Sequence, residues 1–121
     1  LTAHYGIDHG SSLAMVMPVF LESQFEDRKV MYAKCAEFVF DERDGTVDEK
    51  AHAFTRHIRE FIQALGIPNS VSKWPGIKIE SNDVDKVTEN VMQQTSGGKP
   101  FGYNNCCTRE LVHSVLEKVI V

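Results

Sequence analysis

From residue 13 to residue 21 the chain reads Leu-Ala-Met-Val-Met-Pro-Val-Phe-Leu, with no polar position in the run. A segment apolar on nearly every face belongs in the centre of a fold, and the pattern predicts a buried helix over 10–25. Ser11 or Ser12 is the expected cap, and Pro18 inside the span is expected to kink it. A second helix is predicted over 27–40, where Tyr32, Ala36, Val39 and Phe40 share a stripe with Ala33 and Cys35 beside it. "DERDG" at 41–45 then breaks the pattern.

The third helix has the clearest boundaries. Thr46 and Glu49 stand at capping-box spacing, and Phe54, Ile58, Phe61, Ile62 and Leu65 follow at helical intervals. Gly66 suits the left-handed position past the end, and Pro68 prevents continuation. A buried Phe61 is expected to cost ~3–5 kcal/mol when cut to Ala. Residues 69–80 read as an irregular connection. "IKIE" at 77–80 alternates like a strand but has no partner strand. Ser81 is the expected cap of a fourth helix running to about Thr95, with Val84, Val87 and Val91 inward. "SGGKPFGYNN" at 96–105 is a turn-rich loop. Thr108 caps a last helix striped with Leu111, Val112, Val115, Leu116 and Val119. Five helices and no credible sheet make an all-α fold.

Composition narrows the function. With 121 residues the length suits one domain, and the formal charge of −4 comes with scattered basic residues. A nucleic-acid footprint needs a Lys/Arg cluster, so no nucleic-acid partner is expected. The longest apolar run is too short to span a bilayer, and the N-terminus lacks the positive start of a signal peptide. The three cysteines, Cys35 and the neighbours Cys106 and Cys107, fit neither a disulfide framework nor a CxxC metal knuckle. Reduced thiols in a cytoplasmic protein are the expectation. Gly97, Gly98 and Lys99 lack the spacing of a phosphate-binding loop.

Five histidines carry the candidate chemistry. His52 and His57 are five apart on the polar side of the third helix, off the spacing that helical ligands need, and read as solvated. His113 reads the same way. His9 precedes the apolar helix, where it could simply bond its neighbours. A helix N-terminus disfavours a cation, and a metal ligand must be a neutral imidazole. One histidine alone is not a site.

The stretch "LTAHYGIDHGSSLAMVMP", followed by helices and by "FIQALGIP", resembles the iron-containing alcohol dehydrogenase family. The likeness is closest to its butanol dehydrogenase and NADPH-dependent aldehyde reductase branch. Residues 1–18 are the most specific part. Gly10, Leu13, Ala14, Met17 and Pro18 match the flanking pattern of a metal-binding histidine, and His9 matches the ligand itself. His4 does not match a ligand position.

The resemblance implies a nucleotide-binding α/β domain followed by an all-α domain that holds a divalent metal on one Asp and three His. Of these, only His9 falls within residues 1–121. The expectation is therefore a partial C-terminal helical domain of a dehydroquinate synthase-like fold, inactive alone and without a bound cofactor. The whole enzyme would use Fe²⁺ or Zn²⁺ as Lewis acid and NAD(P)H as hydride carrier on a small alcohol or aldehyde. Asp8 is read either as a partner orienting a histidine or as a helix cap. A homodimer is expected through the apolar helix at 13–21. A zinc glycerol-dehydrogenase-like enzyme and a non-catalytic helical interaction module are the alternatives.

Overall fold

The computed structural model describes all of residues 1–121, in six α-helices and no sheet. They are α1 (Thr2–Tyr5), α2 (His9–Ser23), α3 (Phe25–Phe40), α4 (Val47–Ala64), α5 (Asp83–Ser96) and α6 (Arg109–Ile120). The expected all-α class holds. Five of these helices correspond to the expected spans, and α1 is an addition. It is a single turn ending at Gly6, whose φ of 70° is the left-handed conformation that glycine adopts without steric cost.

The chain divides into two compact units, Met17–Ile67 and a unit made of Leu1–Val16 with Pro68–Val121. In the first, α3 lies along α4. Helix α3 starts one residue after α2 ends, across Gln24, and the Tyr32 hydroxyl donates to the Leu21 carbonyl at 2.9 Å near this break. Tyr32, Ala33 and Ala36 on α3 and Ala51, Ala53, Thr55 and Ile62 on α4 are buried. The small residues let the two helices approach closely. Thr46 caps α4 by accepting the Glu49 amide at 3.2 Å, as its spacing predicts.

Three positions on the expected stripes are exposed in this unit, among them Leu65 at the end of α4. Val39 is exposed rather than inward, because Tyr32, Ala33 and Ala36 define the buried stripe. Phe61 is 60% exposed, because the buried line of α4 passes through Ala51, Thr55 and Ile62. The ~3–5 kcal/mol cost expected of a buried Phe61 therefore does not apply.

In the other unit, α6 packs on α5 and on a 3₁₀ turn at Val71–Lys73. Val71, Val87, Met92, Val115, Leu116, Val119 and Ile120 form its apolar core with Ile7 and Met15. Thr88 is fully buried, and its hydroxyl is satisfied by the Val84 carbonyl at 2.7 Å. Thr108 caps α6 through the Leu111 amide at 3.2 Å, as expected. Residues 77–80 form no strand. The one extended pairing is an isolated bridge between Phe101 and Cys107 that closes the turn-rich loop.

Candidate functional site

His9 is the first residue of α2, and the residue before it builds the helix start. The Asp8 carboxylate accepts the Ser11 amide at 2.9 Å, and the Asp8 carbonyl accepts the Ser12 amide at 3.0 Å. Asp8 is thus the cap, not Ser11 or Ser12. A side-chain acceptor three residues ahead of a free amide is the favoured geometry, and Asp8 stands directly before the first helical residue, whereas Ser11 and Ser12 lie inside the helix. The Ser11 amide holds the Asp8 carboxyl below its ordinary range.

Ser12, the other expected cap, faces inward. Its hydroxyl lies 3.0 Å from the Thr2 hydroxyl and 3.4 Å from the Ile7 carbonyl. Ile7 is buried to 1% exposure just ahead of the cap. His9 therefore leaves a segment that is plugged by an apolar side chain and closed by a hydroxyl pair. Its own side chain is exposed and makes no hydrogen bond, ion pair or ring contact.

Four residues earlier lies a polar cluster that the sequence pattern does not reveal. Asp83, at the start of α5, is 3% exposed. One carboxylate oxygen accepts the Tyr5 hydroxyl and the Glu80 amide, each at 3.0 Å. The other faces His4 Nε2 at 3.2 Å. The Glu80 amide, with Tyr5 and His4, keeps the Asp83 carboxyl below its ordinary range against the opposing effect of burial. Burial and the neighbouring carboxylate push the Tyr5 phenol well above its usual range. The expected cap at Ser81 is replaced here, since Asn82 precedes the helix without a side-chain cap and Asp83 folds back to the Glu80 amide. Asp83 has a local signal, the acidic first turn of α5, but Tyr5 and His4 are 78 and 79 positions away.

The remaining histidines are structural. His52 stacks on Phe25 with ring centroids 4.2 Å apart, and His57 stacks on Phe40 at 4.4 Å while bonding Glu42 at 2.8 Å. Neither is simply solvated, because each polar-face ring covers an aromatic at an edge of the α3–α4 pair. His113 pairs with Asp85 at 3.2 Å. The Cys106 and Cys107 sulfurs are 3.7 Å apart as free thiols, and burial pushes Cys107 up to about 11, the opposite of an activated nucleophile.

No three His, Cys, Asp or Glu side chains converge to hold a metal ion within this chain. The donor chemistry of His9 nonetheless fits one position in a metal's ligand set. It is an imidazole with no competing partner, set on a fixed backbone. Asp8 does not serve as its orienting partner, since the Asp8 carboxylate is engaged in the cap.

The model of the Fe-containing alcohol dehydrogenase family, C-terminal, matches residues 1–120. The NADPH-dependent aldehyde reductase YqhD of Escherichia coli (strain K12) is 31% identical over 74 residues, or 61% of this chain. That alignment spans 19% of the relative's length. No solved structure matches.

Proposed function

The chain belongs to the Fe-containing alcohol dehydrogenase family, and from that premise we propose that His9 is one ligand of the divalent metal in an alcohol or aldehyde oxidoreductase using NAD(P)(H). The observation that carries the reading is the placement of His9. It opens an apolar helix at the start of a C-terminal family match, exposed and unpartnered, on a backbone fixed by the Asp8 cap and by buried Ile7.

This chain's own residues have definite parts in the proposal. His9 offers an imidazole nitrogen, a donor suited to Fe²⁺ or Zn²⁺. Asp8 holds the first turn of α2, and Met15, buried two turns on, ties that helix into its unit. The metal, when bound, supplies Lewis-acid polarisation of the substrate oxygen. Because the chain aligns with a fifth of its relative, the other ligands and the nucleotide site belong to the rest of the enzyme in this reading. Turnover by the isolated chain is accordingly not expected.

The coenzyme named for the relative supports NADPH, and its named substrate class supports aldehydes. The free cysteines suit a cytoplasmic enzyme, and no helix is long and apolar enough to cross a membrane. A homodimer is part of the proposal, supported by exposed apolar side chains, Phe38 and Val39 on α3 above all and Leu13 and Met17 on α2.

The test is metal-dependent turnover by the full-length enzyme. Aldehyde reduction with NADPH should vanish on chelation and return with added Fe²⁺ or Zn²⁺. A rate indifferent to metal removal would overturn the reading.

A further inference from the structure

Asp83 is the one charged side chain buried in this chain, and a buried carboxylate is costly unless its oxygens are bonded. One of its three partners, the Glu80 amide, is local. The other two, the Tyr5 hydroxyl and the His4 ring, both come from α1, the turn that leads through Gly6, Ile7 and Asp8 to His9. His4 and Tyr5 also meet edge-on at 4.6 Å, so the two donors act as one unit.

We propose that Asp83 is a positioning residue for His9: it clamps α1 to the start of α5 through Tyr5 and His4, and so fixes the loop from which His9 is presented to a divalent cation. The inference rests on the reading of His9 as a ligand. It goes beyond that reading by naming what holds the ligand still.

The contacts divide the labour in a way that makes the role separable from stability. Ile7 stays buried, and Thr2 still meets Ser12, without any participation of Asp83. Losing the clamp therefore leaves the unit folded but removes the tie of α1 to the start of α5, so that Ile7 and the Thr2–Ser12 contact alone hold the segment leading into His9, with more play at its imidazole. Metal–ligand distances tolerate only ~0.2 Å, so a small shift weakens coordination before it weakens packing.

The experiment uses the full-length enzyme stripped of metal and titrated with Zn²⁺ against a chromogenic chelator, comparing wild type, Asp83→Asn, Tyr5→Phe and His9→Ala. Asp83→Asn should bind zinc roughly tenfold more weakly, the scale seen when a group supporting a ligand is removed. Its circular dichroism should match wild type. In the metal-free protein, hydrogen exchange at the Ser11 and Ser12 amides should speed up. In turnover, kcat should fall while KM for the nucleotide holds. Wild-type zinc affinity in Asp83→Asn, alongside loss of zinc in His9→Ala, overturns the clamp and leaves the ligand reading intact. Zinc retained by His9→Ala overturns the ligand reading and the clamp with it. Should Asp83→Asn fail to fold, Tyr5→Phe decides, since it removes one donor and keeps the ring. Weaker zinc binding supports the clamp, and unchanged binding overturns it.

Discussion

His9 is singled out in the sequence by resemblance alone, through a flanking pattern that is local: Gly10, Leu13, Ala14, Met17 and Pro18 all lie within ten residues of it. Asp83 is not singled out, because its partners lie at the far end of the chain and no periodicity joins them. The two groups that bond there also set the pH limits of the cluster. The Asp83 carboxyl is depressed in the folded chain, so its contribution is complete above the ordinary carboxylate pKa of ~4 and is lost as pH falls through the lower folded value. The Tyr5 phenol is raised, so its contribution is complete below the ordinary ~10 and is lost at more alkaline pH. Thermal melts across pH should show Asp83→Asn losing part of the wild-type acid dependence. Tyr5→Phe should lose part of the alkaline dependence. Curves parallel to wild type in both variants would contradict the assignment. Burial gives a second contrast at this scale. Ile120→Ala should cost ~2–5 kcal/mol, since Ile120 is fully buried, whereas Phe61→Ala should cost well under ~3. Urea denaturation of the two variants checks the order.

Helix boundaries were legible wherever a short polar side chain reaches an amide three residues on. Thr46 and Thr108 do so as their spacing predicts, and Gly66 takes the left-handed conformation with φ of 74°. The start of α2 lies within one residue of its expected place, but its cap is Asp8 rather than Ser11 or Ser12, three or four residues on, because all three offer acceptors and Ser12 is taken up by Thr2 and Ile7. Helix α1 has no signature in the sequence, because four residues carry no periodicity. Faces were less legible than ends. On α3 the expected stripe is buried at Tyr32, Ala33 and Ala36, but the apolar positions go nearly all round, and the pattern alone does not separate these from Val39, which is exposed. The caps are testable directly. Thr108→Ala should cost ~1 kcal/mol and Thr46→Ala a similar amount, while serine at either position should restore most of it. Chemical denaturation checks this, and an alanine variant as stable as wild type would argue against the cap.

At the scale of the whole molecule, the all-α class followed from five periodic segments and the absence of paired alternating runs. The division into two compact units has no sequence signal, because one of its boundaries falls between Val16 and Met17, inside α2. The surface also differs from expectation. Helix α2 exposes Leu13 and Met17 but buries Met15 and Pro18, so it is less uncovered than its composition implies. The larger exposed apolar group is Val30, Met31, Phe38 and Val39 on α3. Apolar groups of this kind favour association. Sedimentation equilibrium over a dilution series should show a reversible dimer, weakened more by Phe38→Glu than by Leu13→Glu. A monomer at every concentration would contradict this.

The most direct test of the central claim is the metal content of full-length enzyme carrying His9→Ala. Removing a ligand should leave a small fraction of the wild-type iron or zinc, measured by mass spectrometry on purified protein, with helix content unchanged. Wild-type metal loading in that variant would contradict the assignment of His9.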